Sequence, residues 1–182
     1  MRVRRPNVSI LYRDASFEAG DGRTLFGRVV PYGQVAEVSD GTGVYQERFE
    51  RGATARTIRE RGHKIRLFTQ HDRRRLPIGR AARLVEQDDG LHAEFEVART
   101  RDGDDALELV RAGIVDSFSV GFTPVRERWD GEVLVRTEVA LNEISLVDAP
   151  AYSGAVVAGI RSHAPLHYSA ADVARRLRLL NL

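Results

Sequence analysis

The chain has 182 residues, 42% of them hydrophobic, and its 28 basic and 26 acidic side chains leave a net charge of +2, which predicts one substantial core in a single domain with tails. Cysteine is absent, excluding disulfides, thiolate nucleophiles and cysteine-ligated zinc. No apolar run approaches the roughly 18–20 residues that span a bilayer, the basic start MRVRRPNVSILYRD is too short in apolar residues for a signal peptide, and the basic run HDRRRLPIGR lacks aromatics for base stacking, so a soluble, cytoplasmic protein that binds neither membrane nor nucleic acid is expected.

The first 148 residues are mostly strand-like, with two helices among them. FGRVVPYG, from Phe26 to Gly33, is a strand closed by a Pro and Gly turn, and VAEVSDGTGVYQERFE, from Val35 to Glu50, is a polar loop. GATARTIRERG predicts a helix with Gly62 as its C-cap. HKIRLFTQH alternates, placing Ile65, Leu67, Thr69 and His71 on one face with His71 at the strand's end. IGRAARLVEQDDGLHAEFEVA predicts a hairpin reversed at Asp89 and Gly90. DGDDALELVRAG is a short helix with an acidic first turn, an apolar stripe of Ala106, Leu109 and Val110, and a closing Gly113. It leads into IVDSFSVGF, which continues through the Asp130-Gly131 turn into VLVRTEVALNEISLVDAP.

After Pro150 the sequence turns small, Gly-containing and weakly periodic, so the domain is expected to span 1–150 and residues 151–182 to form a C-terminal arm. Beyond Ser169 that arm has Val173, Leu177 and Leu180 on one helical face and arginines elsewhere, a short basic amphipathic helix that either packs back on the domain or serves as a docking tail.

In DSFSVGF, strand alternation puts Phe118, Val120 and Phe122 on one side and Ser117, Ser119 and Gly121 on the other. The bare side either admits a neighbouring backbone or leaves room for a substrate. Peptide hydrolysis needs an activated nucleophile, a base and a group that orients the base. Without cysteine the nucleophile is Ser, Thr or a metal-bound water. His63, His71, His92, His163 and His167 form no HExxH motif and no helical ligand pair near a carboxylate, so no metal or other cofactor is expected. His71 precedes the Pro77-Ile78-Gly79 loop; read alone, it and Ser119 are more often structural than catalytic. Glu143 lies among Val139, Leu141, Ile144, Leu146 and Val147 and needs a partner if buried, either an arginine or a catalytic group.

Taken together, QHD…PIG…DDGL…SFSVGF…NEISLVDAPA resembles the prohead (procapsid) maturation proteases of tailed bacteriophages, a serine protease family related in fold to the herpesvirus assemblins; the likeness runs from Leu25 to Ile160. The resemblance implies an α+β fold, a β-rich and mostly antiparallel barrel with peripheral helices. It implies a serine endopeptidase with Ser119 as nucleophile, His71 as general base and Glu143 as orienting acid, with Ser145 and Asp148 as neighbours competing for the last role. His92, beside Leu91 and Phe95 in a hairpin, is discounted. The implied partners are the major capsid protein, whose scaffold portion is the substrate, and the chain itself through self-cleavage, inside the immature procapsid in the host cytoplasm; a homo-oligomer stays open. On that reading Gly121 clears the approach of a peptide to Ser119. The rival readings are a catalytically silent capsid-assembly factor that keeps the protease fold, and an unrelated β-rich binding module.

Overall fold

The computed structural model describes residues 22–40 and 43–161; the amphipathic helix expected after Ser169, like His163 and His167, lies outside them. The described chain runs β1 (Thr24–Pro31), β2 (Ala36–Asp40), β3 (Gly43–Phe49), α1 (Ala55–Arg61), β4 (Arg66–Thr69), β5 (Gly79–Gln87), β6 (Gly90–Val97), α2 (Arg101–Arg111), β7 (Ser117–Asp130), β8 (Val133–Val147) and β9 (Val157–Arg161). A 3₁₀ turn over Gly62–Lys64 links α1 to β4. The strands form one sheet in the order β2-β3-β8-β4-β5-β6-β1-β9, with β7 also paired to β8. All pairings are antiparallel except β3 with β8 and β4 with β8. The β-rich α+β class expected from the sequence is what the chain adopts. The sheet curls back on itself: an isolated bridge joins Ser117 to Val156, and the Phe118 amide donates to the Ala155 carbonyl at 2.9 Å. No continuous ladder closes that seam, so the barrel is incomplete.

β8 is the spine. Its 15 residues carry β7 along one edge, while β3 and then β4 share the other. In its first ten residues exposure partly alternates, but from Glu143 to Val147 every residue is buried, because both faces are covered there. The core gathers Phe49, Leu67, Phe95, Leu107, Phe118 and Ile144, all fully buried. The Phe95 and Phe118 rings sit 5.6 Å apart, and Phe49 meets Phe122 edge-on at 5.1 Å, within the range where aromatic pairs attract.

Several local expectations are corrected. The stretch Val35–Glu50 contains the β2–β3 hairpin: Tyr45, Glu47 and Phe49 alternate inward, and polar side chains on the outward positions gave it the composition of a loop. Gly62 keeps right-handed helical angles (φ −50°, ψ −40°) instead of a left-handed cap, so the chain tightens into the 3₁₀ turn. On α2, Leu107 takes the buried place given to Leu109, which is 40% exposed. The helix otherwise starts and stops as its residues dictate: Thr100 Oγ1 accepts from the Gly103 amide at 3.2 Å, Asp102 and Asp104 occupy the first turn, and Gly113 is left-handed (φ 68°).

Residues 151–161, expected to begin an arm, are part of the folded body. Tyr152 and Ala155 enter the core and β9 pairs with β1. β9 and the residue before it lie close on β1: at Gly27, where the β1–β9 register shifts, a Cβ would collide with the Val156 carbonyl. Gly27→Ala is therefore expected to destabilise the protein by about 1–3 kcal/mol, the usual range for overpacking. Urea denaturation measures it, and an unchanged midpoint would show that β9 is not held against β1 this closely.

Candidate active site

Antiparallel pairing of β7 with β8 sets Ser119 opposite Ser145 and Gly121 opposite Glu143. Directly opposed residues share a face, so these four form one patch. On the other edge of β8, β4 brings Phe68 opposite Ser145 and ends at Thr69. The next two residues, Gln70 and His71, are left-handed, with φ of 51° and 55°. His71 is thus in a turn and not the last residue of the strand, as alternation had suggested. A left-handed L-residue costs roughly 1–2 kcal/mol, and local hydrogen bonds offset that cost: the Gln70 amide donates to the Leu146 carbonyl at 2.9 Å, and the His71 amide donates to Ser145 Oγ at 3.1 Å. The turn swings the imidazole back over β8.

There His71 Nδ1 lies 2.6 Å from Glu143 Oε1. The second carboxylate oxygen, Oε2, accepts from the Ser145 hydroxyl at 2.7 Å. Ser145 Oγ already accepts from the His71 amide, which directs its proton to Glu143. Imidazole, hydroxyl and carboxylate close a ring of three contacts that ties both the main chain and the side chain of His71. Glu143 is 2% exposed and Ser145 fully buried, whereas the His71 side chain is 41% exposed. The hydrogen bond to Glu143 raises the His71 pKa above its ordinary 6.5, against an opposing effect of burial. The partner that buried Glu143 requires is therefore an imidazole and a hydroxyl, not an arginine.

The other sequence candidates lie elsewhere. Asp148 accepts from the Gln70 side chain at 3.1 Å, and His92 Nε2 is 2.8 Å from Asp89 Oδ1 at the β5–β6 turn. Ser119 is half-buried, and no described residue is hydrogen-bonded to its hydroxyl. Gly121 serves a different purpose from the one expected: a Cβ there would collide with Glu143 Oε1, so the missing side chain makes room for the acid. Two features were not foreseen. One is the double use of Ser145. The other is a buried ion pair, Glu47 with Arg136, at a cleft of about 270 Å³ that Ser119 also lines.

A buried carboxylate bonded to an imidazole, on the sheet face that carries an unengaged serine, supplies the three kinds of group that serine hydrolases use. Residues 14–168 match the family described as caudovirus prohead serine protease, and the chain belongs to that family. It is 32% identical over 82 residues to the prohead protease of Escherichia phage T5, an alignment covering 44% of this chain and 38% of the relative. To the prohead protease of Enterobacteria phage HK97 it is 27% identical over 116 residues, 61% of this chain and 51% of the relative. The chain thus spans about half or less of these relatives' length. Among solved structures it is similar to the bacteriophage T4 capsid assembly protease (TM-score 0.44, 10% identity, 70% of this chain and 98% of that one) and to the varicella-zoster virus protease (TM-score 0.43, 16% identity, 87% and 75%).

Because the His71 pKa is raised in the folded state, its pairing with Glu143 stabilises the fold in full below pH 6.5 and ceases to do so as pH rises through the raised value. The melting-temperature difference between wild type and Glu143→Gln is expected to be greater on the acid side of that window than on the alkaline side. Gly121→Ala, by displacing the carboxylate, is expected to bring the His71 titration down toward 6.5; NMR of the imidazole reads it, and an unmoved titration would mean that Glu143 does not set the His71 pKa.

Proposed function

We propose that this chain is a serine endopeptidase of procapsid maturation, with Ser119 as nucleophile, His71 as general base and Glu143 as the acid that orients it. The observation that supports this best is the 2.6 Å contact of His71 Nδ1 with a carboxylate that is itself anchored. With Nδ1–H donated to Glu143, Nε2 is the basic nitrogen. As the Ser119 hydroxyl attacks a peptide carbonyl, Nε2 takes its proton, and the imidazolium is stabilised by the adjacent carboxylate. His71 then returns the proton to the leaving amine, leaving an acyl group on Ser119. Water repeats the sequence in reverse and frees the acid product. The Ser145 bond holds the His71 backbone and the Glu143 bond its side chain, so the ring is held in one orientation. The open hydroxyl of Ser119 is in keeping with catalytic bonds that tighten only when substrate arrives.

Family membership makes a capsid protein inside the procapsid the natural substrate, and we extend this to the scaffold portion of the major capsid protein and to the chain itself. The protease domain on this reading continues to Arg161, and the residues beyond it form the segment removed by self-cleavage. A silent assembly factor would have no use for a carboxylate poised on an imidazole.

Incubation of the protein with its capsid subunit, followed by mass measurement, tests the reading. Wild type is expected to shorten the subunit and itself. Ser119→Ala is expected to lose roughly 10⁴-fold or more in rate, and Glu143→Gln about 10²–10⁴-fold, the larger figure being that for an orienting acid replaced by its amide. No processing by wild type would favour the silent-factor reading, and processing undiminished in Ser119→Ala would remove Ser119 as the nucleophile.

A further inference from the structure

The turn after β4 carries one hydrogen bond that the reaction above leaves unused. Two of its bonds fix the main chain on β8: the Gln70 amide donates to the Leu146 carbonyl at 2.9 Å, and the His71 amide to Ser145 Oγ at 3.1 Å. The third comes from a side chain. Gln70 Nε2 donates to Asp148 Oδ1 at 3.1 Å, one residue past the end of β8. That bond involves neither His71 nor Glu143, and among the described residues the Asp148 carboxylate has no other hydrogen-bond or ion-pair partner.

The register of β4 on β8 shows what Asp148 would do without it. The two strands are parallel, with Leu67 beside Ile144, Phe68 beside Ser145 and Thr69 beside Leu146. Continued in the same step, an extended chain would set Gln70 beside Val147 and His71 beside Asp148, at the strand spacing of about 4.8 Å. Alternation would then place His71 on the face of Leu67 and Thr69, turned away from the face of Glu143 and Ser145. Space for a ring exists there, since a cavity of about 210 Å³ is lined by Thr69, Gln70 and Leu146. The extended route would also relieve the left-handed angles of Gln70 and His71. Against it stands Glu143, which would be left with Ser145 as its one donor.

Asp148 is thus the rival of Glu143 for the imidazole. The other acids lining that cavity are engaged by arginines, Asp102 by Arg75 at 2.9 Å and Asp105 by Arg101 at 3.8 Å. Asp148 is engaged by Gln70, whose side chain stands beside it where the extended chain would bring His71.

We propose, on the strength of the serine protease reading above, that Gln70 is a positioning residue: by occupying Asp148 it keeps a second carboxylate from drawing His71 off Glu143.

Labelling of Ser119 by a small fluorophosphonate, read by intact mass, and NMR of the His71 imidazole test this on the full chain. Both substituted positions are exposed, with little risk to folding. Gln70→Ala is expected to slow labelling about fivefold, the scale of one hydrogen bond, and to bring the His71 titration down toward 6.5. Asp148→Ala alone is expected to leave both close to wild type, because the rival disappears with the bond. Adding Asp148→Ala to Gln70→Ala is expected to restore rate and titration together. A bond that merely braced the turn would give the opposite pattern, with Asp148→Ala as damaging as Gln70→Ala and no recovery in the double variant. That pattern, or Gln70→Ala indistinguishable from wild type, overturns the proposal. If Ser119 of the wild type is not labelled at all, the serine protease reading fails separately, and the four His71 titrations alone decide whether Gln70 keeps the imidazole on Glu143.

Discussion

A carboxylate enclosed in protein must be given hydrogen bonds or it is expelled, and the enclosure of Glu143 is the constraint from which the arrangement of three strands follows. One of its donors comes from the turn after β4 and the other from two residues along β8, and β7 supplies the space. Register is therefore pinned. Sliding β7 by two residues would bring Ser119 or Thr123 opposite Glu143, and either Cβ would enter the volume the carboxylate occupies. Sliding it by one would turn the phenylalanines of β7 out of the core. The left-handed turn at Gln70 and His71 obeys the same constraint, since an extended continuation of β4 would carry the imidazole past its partner.

Two buried carboxylates in this protein solve the same problem to opposite ends. Glu47 is buried and bonded through one oxygen to Arg136 and through the other to Tyr152, and Arg136 also reaches Glu127 and Tyr45. Glu143 is closed on the protein side only. Its imidazole partner is 41% exposed and is bonded through one ring nitrogen, with no described residue on the other. A carboxylate held by a guanidinium, which keeps its proton, has no means of moving one. A carboxylate joined to a ring with a second, accessible nitrogen does have one, and on the proposed reading that difference separates the structural pair from the reactive one.

How far the sequence discloses this architecture depends on whether the signal is local. The β5–β6 and β7–β8 hairpins rest on adjacent residues whose backbone needs are specific, and both form where they were read, with the two loop residues shifted by one, to Asp88-Asp89 and Gly131-Glu132. Buried Glu143 is conspicuous because it interrupts an apolar run. The β2–β3 hairpin was hidden by polar residues that alternate outward, and with it Glu47, the inward carboxylate between Tyr45 and Phe49. Its partner Arg136 comes from a strand 89 positions away, a pairing that no local pattern reveals. The stretch 151–161 was read by composition as a tether, whereas Tyr152 and Ala155 enter the core and β9 pairs with β1. His71 was found by the residues around it, but its turn was not, because nothing in Gln70-His71 announces a left-handed backbone that hydrogen bonds from β8 impose.

The bare face of DSFSVGF, with Ser and Gly where side chains would be expected, admits two explanations, and the structure divides them between adjacent positions. At Gly121 the missing side chain is filled by the Glu143 carboxylate, which is close packing. At Ser119, one step along the same face, no described residue is hydrogen-bonded to the hydroxyl, and the residue opposite, Ser145, is committed to the acid and to the His71 backbone. The two hydroxyls of this cross-strand pair are thereby made unequal. Ser145 is buried and bonded twice, unable to leave its place without orphaning a carboxylate oxygen and an amide; Ser119 is half-exposed and unengaged. On the proposed reading the nucleophile is the second kind of serine, free to approach a carbonyl and to give up its proton, and the first kind keeps the base in position to receive it.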